Sequence, residues 1–239
     1  MIRLLALAAA AMVLAGPALA QGISIDLGAD GSLAARSVQL LLLITLLGLV
    51  PGLAVMITCF PFIVTVLSIL RQAIGLQQSP PNMLIVSLAL FLTWFVMDPV
   101  LTEAWVQGIE PLSRGVLPVE EAIPAAIAPF RGFMAARLDA DTFAALAVLR
   151  PGPAVAAADA PLSLLVPSFI LSEIQRAFEI GFLIYLPFLI IDLVTSAVLM
   201  SMGMMMVSPA VVSLPFKLAF FVVADGWSLI SGALVRSYM

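Results

Sequence analysis

Histidine is absent from this sequence. That removes the commonest general base, the commonest zinc ligand and the usual neutral-pH switch. Cysteine occurs once, as Cys59 inside an apolar run, so no disulfide can form within the chain. A small buried hydrophobe is the ordinary role of such a residue. Lysine also occurs once, at Lys217. No glycine-rich loop runs into Lys and Ser or Thr, as nucleotide hydrolysis requires. No serine sits in a G-x-S-x-G turn, and no Cys/His spacing could hold a metal. Only 10% of residues are charged, against about 25% in a soluble domain. The net charge of −4 and the lack of any basic stripe exclude nucleic acid as a partner. Neither an enzyme nor a cofactor-binding protein is expected.

What is present is apolar surface. Hydrophobic residues make up 63% of the chain, and the mean hydropathy is +1.21. This composition predicts an integral membrane protein. Residues 1–20 read as a signal peptide. Arg3 supplies the positive start, Leu4 to Leu14 the apolar centre, and Gly16-Pro17 the helix break. Ala18-Leu19-Ala20 completes an A-x-A site, with cleavage expected between Ala20 and Gln21. Residues 21–37 then form a short polar lead outside the cytoplasmic membrane.

The remainder predicts an all-α membrane protein, with two kinked helical hairpins joined by a polar, partly helical insert. Residues 38–102 form the first hairpin. Pro51-Gly52 and Pro61 are expected to kink its first arm. The linker Arg71 to Asn82 is turn-rich, and Asp98-Pro99 is expected to close the second arm. Trp94 and Trp105 suit a water interface. Residues 103–161 are the insert, with seven prolines and alternating acids and arginines. Within it Phe130, Phe133, Met134, Arg137 and Leu138 recur at helical spacing, which predicts a short amphipathic helix. Residues 162–239 form the second hairpin, with spans near 180–206 and 210–235 punctuated by Pro209. An exported N-terminus followed by four spans puts both ends and the insert on the outer side. The arginines of the insert fit the positive-inside rule poorly, as spans covered by protein more than by lipid would.

Charges are rare in the second hairpin, and each needs a reason. A charge at the bilayer centre costs about 2.5–3.5 kcal/mol on insertion scales, so it faces a partner, a cavity or a pathway. Asp192, Lys217 and Asp225 are such charges. The acids within reach of Lys217 in a folded hairpin are Glu173, Glu179, Asp192 and Asp225. Glu173, Arg176 and Glu179 fall at three-residue steps, so they can pair along one helix face. Between Asp192 and Lys217 lies Met202-Gly203-Met204-Met205-Met206. Methionine is unbranched and polarizable, so such a run is either gap filler or a deformable contact surface.

Several segments together resemble the FliP/SctR family of type III export gate subunits. In the first half these are Ile57-Thr58-Cys59-Phe60, Ile69-Leu70-Arg71-Gln72-Ala73-Ile74-Gly75, Pro80-Pro81-Asn82 and Ala89-Leu90-Phe91-Leu92-Thr93. In the second half they are Ser172-Glu173-Ile174-Gln175-Arg176-Ala177-Phe178, Gly181-Phe182-Leu183 and Pro187 to Val194. Met202 to Met206, Leu214-Pro215-Phe216-Lys217 and Asp225-Gly226-Trp227 complete them. The resemblance covers about residues 56–238. It implies a flagellar export gate subunit that forms a homo-oligomer with FliQ and FliR, beside the export components FlhB and FlhA. Its expected place is the bacterial inner membrane, at the basal body, passing unfolded flagellar substrates. It further implies that Met204, Met205 and Met206 line a constriction and that Glu173 and Lys217 form a buried ion pair. Pro61-Phe62 stands where the family usually has a basic residue, and the insert lacks most of the basic residues that usually follow its Phe-Met element.

Two other functions compete with this one. The homologous gate subunit of a virulence type III system usually lacks a cleavable signal peptide, which favours the flagellar branch. A small-solute or ion transporter would use Asp192, Lys217 and Asp225 as a relay, and the absence of paired repeats speaks against it.

Overall fold

The computed structural model describes residues 33–76, 80–150, 155–204 and 206–239. The signal peptide with its Ala20/Gln21 junction, most of the polar lead and Met205 lie outside the described residues. The chain divides into two units at Gly48/Leu49. Of the first, the described residues belong to the start of helix α1, Leu33–Met56. The second contains every other element: α2 Phe60–Ile74, α3 Asn82–Ala104, a π-helical turn Trp105–Ile109, α4 Glu110–Ser113, α5 Val119–Arg137 and α6 Ala140–Val148. A 3₁₀ turn Ala157–Asp159 leads into α7 Leu162–Ser201, then α8 Pro209–Val223 and α9 Gly226–Arg236. All regular structure among the described residues is helical.

α2 is the centre of the larger unit. Phe62, Ile63, Val66, Leu67, Leu70 and Ala73 recur at helical spacing on its inner side and are fully buried. The helix starts at Cys59 with Pro61 in its first turn, where a missing N–H costs nothing. It stops at Gly75, which takes φ 88° and donates to the Gln72 carbonyl at 3.0 Å. α2 packs more extensively on α7 than on its sequence neighbour α3. Gly181 permits that approach. A Cβ there would lie 3.2–3.3 Å from Ile69 Cγ2 and Cβ. The two predicted hairpins are therefore one bundle, joined through their first and third spans.

Two helices outrun their predicted ends. α3 continues through Pro99, and the chain stays helical to Ser113. Proline removes one hydrogen bond, and the apolar flanks on both sides keep the helix going. The π turn follows, with Gly108 against Ala122 and Ala126 of α5. A Cβ on Gly108 would stand only 2.6–2.7 Å from the α5 backbone, so the insert is seated there by small residues. α7 begins at Leu162, well before the predicted third span, and runs 40 residues. Its first turns pack Leu164, Leu165 and Phe169 against Met134 of α5 and Phe143 and Leu146 of α6. The predicted amphipathic helix is the end of α5. Its acids Glu120 and Glu121 lie in the first turn and Arg137 in the last, as the helix dipole favours. The chain does not break at Pro51, since α1 runs through it; the break falls at Ile57–Cys59, just before Pro61. The last span is also broken: α8 and α9 meet at 61°. The hinge is Ala224-Asp225, with Asp225 left-handed at φ 47°. Two helical stretches, Asn82–Ser113 and Leu162–Ser201, are long and apolar enough to cross a membrane. Counting each bent pair as one span gives up to four.

Candidate functional site: two buried charge clusters and a methionine loop

The two groups expected to pair with each other do not meet within the chain. Glu173 and Lys217 are both buried, at 0% and 6% exposure, but each has another partner. Lys217 reaches from α8 to Asp192 of α7, Nζ to Oδ2 2.6 Å. It also donates to the Ala73 carbonyl at 3.1 Å. That carbonyl lies in the last turn of α2, where backbone acceptors have no partner within the helix and the dipole is negative. One ammonium thus joins α2, α7 and α8. Asp192 is completed by Ser213, whose hydroxyl donates to Oδ1 at 2.6 Å. The Asp192 side chain keeps 32% exposure. Asp192 wins over Glu173 because α7 and α8 are antiparallel across the methionine loop, which brings residues near the loop together. Glu173 lies some 28 Å further along α7 at 1.5 Å per residue (roughly 19 residues).

Glu173 is the centre of a second cluster. Arg137, from the last turn of α5, approaches it with Nε 3.5 Å from Oε1. Tyr238 donates its hydroxyl to Oε2 in a short hydrogen bond. Arg137 donates in addition to the Ser237 carbonyl at 3.0 Å, and its guanidinium stacks 3.8 Å above the Tyr238 ring centroid. The same ring meets Phe133 nearly parallel and Phe62 edge-on at 5.4 Å. Phe62 is fully buried and supplies a wall of this cluster. Burial and the Glu173 carboxylate push the Tyr238 phenol up, so it remains a donor. The cluster clasps α2, α5, α7 and the C-terminal turn together. Arg176 does not pair with Glu173 or Glu179. It donates to the Ser237 carbonyl at 3.5 Å and lies over the Phe62 ring. Asp225 is exposed at the α8–α9 break and belongs to neither cluster.

The methionines lie in the loop between α7 and α8. Gly203 ends α7 in a left-handed conformation at φ 73°. Its N–H bonds to the Met200 carbonyl and that of Met204 to the Leu199 carbonyl, both at 3.0 Å. This is the Schellman pattern, which needs a glycine at that point. The loop is thereby turned outward: Met204 is 41% exposed and Met206 100%. Beside it opens an apolar groove of about 550 Å³ whose walls include Val194, Val198, Met204 and Phe216. Within the chain, then, Met204 and Met206 are not core filler.

Sequence reasoning had not assigned Arg137, Ser213, Tyr238 or the Ala73 carbonyl to these clusters. Spacing carries no signal for them, because each comes from a distant element. Only the rule that buried charges need partners pointed to their existence.

These features define an all-α membrane protein whose few buried charges clamp helices together and whose loop methionines Met204 and Met206 face outward. Comparison with known sequences narrows the class. The FliP family model matches residues 43–234. A flagellar biosynthetic protein FliP of Caulobacter vibrioides is 49% identical over 234 residues, covering 97% of this chain and 88% of its own. That of Agrobacterium fabrum is 44% identical over the whole of both chains. The Bacillus subtilis protein of the same name is 41% identical over 217 residues, 90% of this chain and 98% of its own. The chain belongs to the FliP family of flagellar biosynthetic proteins.

Proposed function

We propose that this chain is a core subunit of the flagellar type III export gate in the bacterial inner membrane, at the flagellar basal body. Membership of the FliP family supports its place in the flagellar export apparatus. Several copies assemble with FliQ and FliR, near FlhA and FlhB, into a conduit for unfolded flagellar proteins. The chain does no chemistry itself. It supplies helices, clamps them with buried ion pairs, and presents a soft loop to the passage.

The methionine loop carries this reading. Met206 is fully exposed and Met204 borders an apolar groove of about 550 Å³, and apolar surface of that extent suits a partner or a passage. Copies arranged around an axis would bring Met204, Met205 and Met206 of each into one ring. Thioether side chains of low rotamer cost can close such a ring against ions and still yield to a polypeptide. The transporter alternative finds less support, since Lys217 is held by Asp192 and Ala73, and Asp225 stands apart from both.

Co-purification tests the assembly. The chain, expressed with tagged FliQ and FliR and extracted in mild detergent, should elute with them in more than one copy. Elution alone, as a free-standing protein, would refute the gate reading.

A further inference from the structure

Glu179 is an acid that the described residues do not answer with a cation. It is exposed on α7. Its carboxylate accepts from the Gln175 amide at 3.2 Å, and among the described residues no cation stands within ion-pair distance. Phe178 and Phe182 flank it, both exposed. Charge set in apolar surface on a membrane-length helix calls for a counter-charge once that face is covered. Glu179 also borders an open cleft of about 300 Å³. The arginines of that cleft, Arg137 and Arg176, are already turned to Glu173 and to the Ser237 carbonyl.

Among the described side chains one complementary group remains. Among the described side chains, every arginine except Arg236 holds a hydrogen bond or ion pair, as does Lys217. Arg236 is exposed, with its guanidinium lying back over Gly232. It ends a stripe on α9, Leu229, Ala233 and Arg236, at i, i+4 and i+7, all exposed. One helix thus shows apolar surface with an acid, the other apolar surface with a base.

Their heights are close. The carbonyl of Ser237, next to Arg236, accepts from Arg176. Arg176 precedes Glu179 by three residues, about 4.5 Å of helix rise. The next residue, Tyr238, bonds to Glu173, six residues before Glu179, so acid and base lie within about two turns of the same level along α7. Two copies related by a rotation with little rise bring Glu179 of one to Arg236 of the next.

We propose that the Glu179 face of α7 is the docking site for α9 of a second copy, closed by a Glu179–Arg236 ion pair between copies. This rests on the multi-copy assembly argued above and adds its contact.

The test uses the full chain co-expressed with FliQ and FliR. In the double variant E179C/R236C, a short bifunctional thiol cross-linker, which spans the length that the two side chains would bridge, should give a ladder of covalent multimers on denaturing gels, absent from either single cysteine variant. E179R and R236E should each lower the recovered multimer roughly tenfold or more, the scale for stranding a desolvated interfacial charge. The double reversal E179R/R236E should restore most of that loss. A native mass showing several copies, with no ladder and with single reversals that leave the yield unchanged, would overturn the pairing and leave multi-copy assembly standing. A single copy per complex would overturn both.

Discussion

Replacing Lys217 with methionine removes one ammonium, keeps most of the side-chain volume, and leaves two groups without their donor. The Ala73 carbonyl loses a hydrogen bond at 3.1 Å in a buried place, a cost of about 1–3 kcal/mol for an unsatisfied group. Asp192 loses its cation at 2.6 Å but keeps the Ser213 hydroxyl and a third of its side-chain exposure. Breaking a buried pair costs about 3–5 kcal/mol when the stranded charge is fully enclosed, so the partly exposed carboxylate puts this variant near the lower end. Asp192→Asn is the harsher change, because the group then stranded is Lys217, which is almost fully buried. The double variant Lys217→Met/Asp192→Leu should be less damaged than the two losses summed. Glu173→Gln should add independently to Lys217→Met, since the two side chains share no partner. Thermal unfolding of the detergent-solubilised complex, run as two double-mutant cycles, measures both couplings. A large coupling between Lys217 and Glu173, with none between Lys217 and Asp192, would refute the assignment of partners.

Tyr238→Phe keeps the ring against Phe62 and Phe133 but removes the donor to Glu173, so it should cost about 1–3 kcal/mol. The loss should appear as earlier proteolysis of the α5–α6 insert. Gly181→Leu should push α7 off Ile69 and destabilise the bundle by about 1–3 kcal/mol, as overpacking does. Ile69→Ala in the same chain should return part of that stability, read from the melting temperature. Asp139 begins α6, and its carboxylate accepts from the Thr142 hydroxyl at 2.7 Å and amide at 2.8 Å. Those bonds hold its carboxyl below the ordinary carboxylate value. Its contribution is therefore complete above that ordinary value and is lost as pH falls through the lowered one. Amide exchange at the start of α6 should quicken in acid in the native chain and show no such step in Asp139→Ala.

Helix existence was legible from apolar runs, since 20 residues without charge have few other solutions. Helix ends were not. Pro99 reads as a stop, yet one lost hydrogen bond is a small charge against a long apolar helix, and α3 passes through it. Pro51 behaves alike, while the actual breaks fall at Ile57–Cys59 and Ala224-Asp225, where the packing of later elements decides. The third span was expected to run on to about 206, but Gly203 stops it and α7 ends at Ser201. That Lys217 must find an acid was also legible. Which acid depends on how α7 folds back on α8, and the choice of Glu173 ignored that the loop brings Asp192 nearer. Tyr238, Arg137 and Ser213 could not be placed by spacing, because their roles exist only after α2, α5, α7 and the last turn have packed.

The proposed gate depends on a methionine loop that seals a passage. It is tested most directly by replacing Met204, Met205 and Met206 together with alanine and measuring ion leakage per assembled complex. Met206 is fully exposed within the chain and Met204 substantially so. Truncating them should therefore cost the subunit little, about 0.5 kcal/mol or less per exposed site, against 2–5 kcal/mol for a core methionine. The account predicts a normal amount of complex and a raised leak of ions and small solutes. A reduced amount of complex with no leak would contradict it.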